Sequence, residues 1–409
     1  MMSAASGPGR SIDSPAWLRS GLRLPGGMDN IQAWPSGNGN CPLNPGIGAT
    51  DMLNLSGQHG TGLSPEPLEL SVVIPSFNGR ALLAQCLPTL HAALVGAQWV
   101  GQTEILVVDD HSTDGTEDWL KAHHPEVQLI RNSGCRGFAG AVNTGLGIAR
   151  GQWIGLVNND VLIDEHWLLA ARRHFQDASV ASVATRMMVG GRVGMVEFAG
   201  GEYSTVGIPL RFGEGMGVEA AGIMQPRLCF WGCGAAVFYR RAALAQVGGE
   251  LYAPLQAYQE DVELGFRLAL AGWNCVYEPA AAVTHLGSAS YGKASFRKKF
   301  NSARNAEIVF FSCMPRPLLR RYLLGHCLAF MPQLAGHIIR GSGWGYVCGK
   351  AAFFLAHIPT TWQRRKIVQQ LLRVDLATFN GKMRRRWLSA VMGTGCSAGK
   401  NLPAADANK

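Results

Sequence analysis

The chain has 409 residues, 47% of them hydrophobic, and a formal net charge of +9. Its length suggests two or three domains, and its apolar content is ample for a buried core. Ten cysteines lie scattered, with Cys229 and Cys233 the one close pair and no second Cys/His pair at zinc spacing; this excludes a disulfide framework and a zinc module and reads as buried thiols in a reducing compartment.

The charge is uneven. Residues 297–386 hold 17 Lys/Arg against two acids, Glu307 and Asp375, a net +15, so the remainder of the chain carries −6. A basic region of that size implies an anionic partner: a phospholipid surface, nucleic acid or a polyphosphorylated substrate.

Residues 1–67 are rich in Gly, Pro, Ser and Asn without a sustained apolar period and are expected to be largely disordered, with Met52 offering a later start. The first 30 residues lack the basic start and apolar run of a signal peptide. From Leu68 the pattern is strand–helix–strand. Strand 70–74 precedes a helix near 81–94, strand 104–108 a helix near 116–122, and strand 127–130 a helix near 137–149 that leads to strand 153–157. Alternation over ~30-residue units indicates an α/β fold with a doubly wound, mostly parallel sheet flanked by helices. Gly-rich residues 189–222 read as irregular strands and loops. Strand 234–239, helix 260–271 and strand 274–277 complete the unit.

Beyond Ser295 the chain becomes basic, aromatic and helical. Stretches 322–339 and 343–360 are apolar, yet Pro332, Gln333 and His337 interrupt the first and Gly345, Lys350 and His357 the second. They read as helices buried in the protein or lying in a membrane interface rather than spans. Residues 361–373 mix Trp362, Ile367, Val368, Leu371 and Leu372 with Arg364, Arg365, Lys366 and Arg373, a composition suited to an anionic membrane surface.

Three apolar strands end in polar residues: Val72-Val73-Ile74 in Pro75-Ser76-Phe77-Asn78, Val107-Val108 in Asp109-Asp110, and Leu156-Val157 in Asn158-Asn159-Asp160. In open α/β sheets, ligands bind at such carboxyl ends. Asp160 can bind a divalent cation that holds a diphosphate; otherwise it caps a helix. Glu260 and Asp261 open an apolar helix, where they either serve the helix dipole or act as a general base. His285 completes a metal site if the fold brings it to Asp160. Trp231, in Phe230-Trp231-Gly232-Cys233-Gly234, is either a sugar-stacking platform or core. Arg136-Gly137, with Asn143 one turn further, forms a Gly-rich turn able to cradle phosphate; it matches neither a dinucleotide fingerprint nor a Walker loop.

In this order, the segments 72–78, 107–115, 137–143, 156–160 and Glu260-Asp261 resemble the inverting glycosyltransferases of family 2, with the Rossmann-like GT-A fold. Asn158-Asn159-Asp160 and Phe230–Ala235 look most like the bacterial rhamnosyltransferase-type members. The resemblance covers residues 70–290. It implies that Pro75, Ser76, Asn78, Asp109, Asp110, Arg136, Gly137, Asn143, Asn158 and Asn159 bind the nucleotide-sugar. Asp160 and His285 would hold Mg²⁺ or Mn²⁺, although Asn158 replaces the first acid of the family's D-x-D motif. Asp261, with Glu260 beside it, would be the catalytic base, and Trp231 and Gly234 would face the acceptor.

The organisation this implies is a disordered extension at 1–67, a catalytic domain at 68–295, a basic helical membrane-associating region at 296–390 and a disordered tail at 391–409. The expected activity is metal-dependent, inverting transfer from a nucleotide-diphosphate sugar, with dTDP-rhamnose favoured over a UDP-sugar. The expected acceptor is lipid-linked or a glycan, in cell-surface glycan synthesis. The protein is expected in the cytoplasm, peripheral at the inner face of a bacterial membrane, with no nucleic-acid partner. The competing readings are weaker. A nucleotidyltransferase wants a Gly-rich basic loop where Pro75–Asn78 stands. A processive synthase wants spanning helices and a Q-x-x-R-W motif, although Asn301–Asn305 occupies a comparable region. A basic nucleic-acid-binding protein wants a recognisable module, and a degenerate scaffold need not keep Asp109, Asp160, Asp261 and His285.

Overall fold

The computed structural model of the chain describes residues 68–287 and 296–384. The expected disordered stretches at 1–67 and 391–409 lie outside the described residues. Twelve strands are assigned: β1 (Leu70–Ser76), β2 (Thr103–Asp109), β3 (Gln128–Arg131), β4 (Trp153–Val157), β5 (Val161–Ile163), β6 (Val180–Val189), β7 (Val196–Phe198), β8 (Gly201–Tyr203), β9 (Pro209–Arg211), β10 (Arg227–Cys229), β11 (Ala236–Arg240) and β12 (Asn274–His285). The helices are α1 (Arg80–Gly96), α2 (Thr116–His123), α3 (Gly137–Ile148), α4 (Trp167–Arg172), α5 (Arg241–Gln246), α6 (Glu260–Leu270), α7 (Phe296–Cys313), α8 (Arg316–Leu328), α9 (Phe330–Ile339), α10 (Gly343–Ala352), α11 (Ile358–Val368) and α12 (Leu376–Lys382).

The main sheet runs β10-β12-β6-β11-β4-β1-β2-β3. The half β4-β1-β2-β3 is parallel, and β1 and β4 are buried along their whole length, as strands covered by helices on both faces must be. β11 enters antiparallel between β4 and β6. Register aligns the strand ends: Ser76 pairs with Asp109 and Asp109 with Arg131, so their polar residues share one edge. Helix α3 lies close on β1 because Gly145 stands where a Cβ would come within 2.4 Å of Val73.

β12 is longer than its expected strand at 274–277. Its pairing with β6 shifts between Glu278 and Ala282 and then continues to His285. That second half also pairs with β5, with His285 opposite Val161. The Gly-rich stretch 189–222 contains β7 and the β8–β9 hairpin.

Helices α7, α8, α11 and α12 complete the same hydrophobic core as the sheet: Ile308, Val309, Phe310, Leu318, Val368 and Phe379 join Leu70, Ile74, Phe230 and Phe266 in one cluster. Among the described residues, no helix is long and apolar enough to cross a membrane. The cysteines there are free thiols, with Cys86, Cys135, Cys233, Cys275 and Cys313 buried. Cys229, close in sequence to Cys233, instead faces Cys275 across β10–β12, Sγ to Sγ 3.2 Å.

The basic stretch is less of a surface than its composition suggests. Arg364 donates to the buried carboxylate of Glu263, and Arg365 to the carbonyls of Phe311 and Met314. Lys350 pairs with buried Glu307, and Lys382 bonds the carbonyl of Trp273. Within 361–373, Lys366 stays exposed while Arg364 and Arg365 turn inward, because each finds an anionic or carbonyl partner on a neighbouring helix.

Candidate functional site

The carboxyl edge of β1, β2 and β4 is tied together by its own polar groups. The Asn78 N–H donates to Ser112 Oγ at 2.8 Å, and Asn78 Oδ1 accepts from the Thr113 N–H at 2.8 Å. Asn78 sits at φ 48°, a left-handed conformation that asparagine tolerates better than most residues. Asn159 Nδ2 donates to Ser76 Oγ at 3.0 Å, and Pro75 lies buried in β1 opposite Val108. Asp109 is fully buried; its Oδ1 accepts from the Ser112 N–H at 3.0 Å, and Oδ2 lies 3.2 Å from Arg131 but accepts no hydrogen bond.

Asp160 and His285 meet. Pairing of His285 with Val161 makes it a neighbour of the residue before, and Nε2 stands 3.2 Å from Asp160 Oδ2. Nδ1 lies 2.9 Å from Glu197 Oε2 on β7, and Glu197 Oε1 lies 3.1 Å from Arg211 on β9. Burial opposes charge on the imidazole, but hydrogen bonds to Asp160 and Glu197 lift it to about 10, so a cation at Nε2 would bind by displacing the proton held there. Asp160 Oδ1 and Asn158 Oδ1 are buried without hydrogen-bond partners. An unpaired carboxylate oxygen beside an imidazole nitrogen fits a divalent cation that takes its other ligands from diphosphate and water. Among the described residues, no group of three or more His, Cys, Asp or Glu forms a complete cage. Glu197, at Nδ1, is placed to orient the ring. Neither Glu197 nor Arg211 carries a sequence signal, because both lie in the aperiodic Gly-rich stretch.

Glu260 and Asp261 occupy the first turn of α6. Asp261 Oδ2 accepts from the Gly234 N–H at 3.1 Å and Oδ1 from its neighbour Val262 at 2.8 Å. Gly265, one turn on, lets α6 press against Trp231, whose Cβ would lie 2.6 Å from a side chain there. Burial raises the Asp261 carboxyl above its ordinary value despite those N–H donors. Burial and the charge of Asp261 push Glu260 up to about 8, and Glu260 Oε2 is buried without a hydrogen bond. The same short turn links both centres, since Ala235, next to Gly234, accepts from the Asn158 N–H at 2.8 Å.

Several expected ligand-facing groups are used inside the protein. Asp110 is fully buried; its two oxygens accept from Asn132 Nδ2 and the N–H groups of Arg136 and Gly137, so it caps the start of α3 instead of facing a nucleoside. Asn143 exchanges two hydrogen bonds with the backbone of Leu251, at 2.9 and 2.8 Å, and so fastens the loop before α6. Trp231 is 4% exposed, packs 5.1 Å from Phe198 and donates to the Glu202 carbonyl at 3.1 Å; it is a core side chain and not a stacking platform. Arg136 contributes its backbone N–H to Asp110 while its side chain is exposed. Gly137, at φ 72°, makes that turn possible.

A similar α/β architecture is also found in solved structures. A crystal structure of GalNAc-T7 with UDP, GalNAc and Mn²⁺ superposes at TM-score 0.51 and 14% identity, covering 80% of this chain and 57% of that one; at that identity the likeness shows the GT-A fold alone. The sequence model described as glycosyl transferase family 2 matches residues 71–247. The N-acetylglucosaminyl-diphospho-decaprenol L-rhamnosyltransferase of Mycobacterium tuberculosis is 30% identical over 216 residues, 46% of this chain and 68% of that protein. The chain belongs to glycosyl transferase family 2. The pre-mycofactocin glycosyltransferase of Mycobacterium tuberculosis is 29% identical over 224 residues, 54% of this chain and 43% of that protein, so the chain spans well under two thirds of that relative's length.

Proposed function

We propose that this chain transfers a sugar from a nucleoside-diphosphate donor to a hydroxyl of a lipid-linked or glycan acceptor in bacterial cell-surface glycan synthesis, inverting the anomeric carbon. The observation that carries this is the meeting of two centres through one turn: Asp160 beside His285, and Asp261 on the Gly234 N–H next to the Ala235 carbonyl that holds Asn158. Asp261 takes the proton of the acceptor hydroxyl as that oxygen attacks from the face opposite the departing diphosphate. The new C–O bond forms as the bond to the diphosphate breaks, so one displacement inverts configuration. Asp160 and His285 would hold Mg²⁺ or Mn²⁺, which when bound supplies Lewis-acid stabilisation to the leaving diphosphate. Ser76, Asn78, Asp109, Asn158 and Asn159 would line the donor side, and the Asp109 carboxylate, paired with Arg131 at 3.2 Å, is the group assigned to the base. dTDP-rhamnose is the favoured donor, supported by likeness to the L-rhamnosyltransferase.

The test is thermal shift of the purified chain with dTDP-rhamnose, UDP-glucose, UDP-N-acetylglucosamine and GDP-mannose, with and without Mn²⁺. Stabilisation by one donor, dependent on Mn²⁺ and lost in Asp160→Asn, is the expected result, since a ligand of the folded state raises its stability. Folded protein that responds to no donor would move the weight to a degenerate scaffold.

In this reading residues 68–295 are the catalytic unit, and residues 296–390 hold it to the cytoplasmic face of the membrane. Large apolar side chains along residues 316–368 stand exposed: Leu324 71%, Leu328 62%, Ile339 85%, Trp344 74%, Leu355 87% and Trp362 49%. Arg320, Arg321, Arg340 and Lys366 lie among them in the chain, a pairing of apolar and basic groups that suits an anionic bilayer surface. Co-sedimentation with vesicles containing anionic phospholipid is expected, and should weaken in Ile339→Glu with Leu355→Glu. Vesicles that never carry the wild-type chain down at low salt would refute membrane attachment.

A further inference from the structure

Resting on Asp261 as the base, we infer that Asn305 of α7 is a positioning residue for the Glu260–Asp261 pair, acting through the loop that leads into α6. That loop is unusual in its backbone. Gln256 stands at φ 64°, ψ −68° and Gln259 at φ 75°, ψ 1°, with Tyr258 at φ 71°. The Ala257 N–H donates to the Leu255 carbonyl at 2.8 Å, closing a three-residue turn around Gln256. None of the three is glycine, and L residues hold such conformations only where their surroundings over-determine them.

Asn305 supplies that determination. It is fully buried, and its side-chain amide donates to the carbonyls of Leu255 at 2.8 Å, Ala257 at 3.0 Å and Tyr258 at 2.7 Å. Its Oδ1 is held by Arg304 Nε at 3.0 Å, and Arg304 also reaches the Leu255 carbonyl at 3.3 Å. Gln259 Nε2 lies 3.5 Å from Ser302 Oγ on the same helix. One amide thus gathers three carbonyls of a strained loop whose next residue is Glu260. Displacing the loop rotates the first turn of α6 and with it Asp261 against Gly234. The segment Asn301–Asn305, outside residues 71–247 that match the family description, therefore reaches the site through backbone and not through substrate.

The test uses the full chain with dTDP-rhamnose or UDP-glucose, Mn²⁺ and N-acetylglucosaminyl-diphospho-decaprenol as acceptor probe, reading nucleoside diphosphate release, together with amide hydrogen exchange. Asn305→Ala deletes the amide; Asn305→Asp keeps its volume but removes its donors. Both are expected to lower kcat about 10–100-fold, the scale on which small misplacements of a reacting group act. Donor KM should stay within about twofold of wild type, and exchange should rise at 253–262 alone. Adding Gln259→Gly to Asn305→Ala should recover at least about threefold in kcat, because glycine adopts positive φ freely. Unchanged kcat, a donor KM that rises in step, no recovery with glycine, or global unfolding of both single variants would each overturn the inference. Asp261→Asn is measured alongside: if it is inactive while the Asn305 variants are unimpaired, the positioning role fails alone; if Asp261→Asn transfers at the wild-type rate, the base assignment falls and takes this role with it.

Discussion

Asp261→Asn is expected to lower glycosyl transfer by about 10²–10⁴-fold, the usual contribution of a general base, while leaving donor affinity unchanged. The substitution preserves volume and keeps one oxygen for the Gly234 N–H, giving up only the acceptor that faces the adjacent Val262 N–H, so the turn and α6 should hold. What it removes is the basic lone pair. The pH dependence gives an independent check. Burial raises the Asp261 carboxyl, and neighbouring Glu260 is lifted to about 8 by burial and by the charge of Asp261, so the two titrate as a pair. Transfer needs the ionised base, so kcat/KM should climb with pH, with its midpoint above the ordinary carboxylate range. Glu260→Gln removes the group lifted to about 8 and should leave that midpoint, which the burial of Asp261 sets, in place. Donor binding lost in folded Asp261→Asn would assign the residue to the donor, and an acid limb at the ordinary carboxylate value would contradict the raised pair.

Glu307→Leu is expected to destabilise the protein by about 3–5 kcal/mol, the cost of leaving a buried cation without its partner. Glu307 on α7 is 2% exposed; it pairs with Lys350 of α10, and its Oε2 lies 2.9 Å from His326 Nε2 of α8. His326 in turn bonds the Val206 carbonyl through Nδ1 at 2.8 Å and stacks on Phe310 at 3.9 Å. Three helices and the β8–β9 hairpin therefore meet at one carboxylate. Burial opposes its ionisation, but the hydrogen bond from His326 and the charge of Lys350 bring it down to about 2. Its folded value lies below its unfolded one, so its stabilisation is present above about pH 4.5 and fades as pH falls toward 2. Thermal or urea unfolding measures the loss. Glu307→Leu with Lys350→Met should recover most of it, because an apolar replacement of the whole pair leaves no charge buried alone. A double variant no more stable than the single one would sink the ion-pair explanation.

Most of the site could be anticipated where sequence neighbours do the work. The strand ends at Ser76, Asp109 and Asp160 follow from apolar runs breaking into polar residues, and register places them on one edge. Asp160 and His285, joined in the sequence only by a condition on the fold, lie together because β12 carries on past its bulge to pair with β5. Side-chain direction was not readable in the same way. Asp110 and Asn143 have the residue types of ligand-binding groups, yet both satisfy backbone groups made available only by tertiary folding. Glu197 and Arg211 lay in a stretch without periodicity, and Glu197 reaches His285 across 88 positions of chain. The basic count in 297–386 overstated the surface because Lys350, Arg364 and Arg365 spend their charge or donors inward.

The shared core also sets an order of assembly. Phe379 lies 5.9 Å from Phe266 of α6 and 6.2 Å from Phe230, so the helix bearing Asp261 rests against a residue close to the end of the described chain. During synthesis the parallel half of the sheet can form early, but α6 has no finished bed until residue 379 has left the ribosome. Chains that stop short of it should therefore persist as incompletely buried intermediates, open to proteolysis and association, and not as smaller working enzymes.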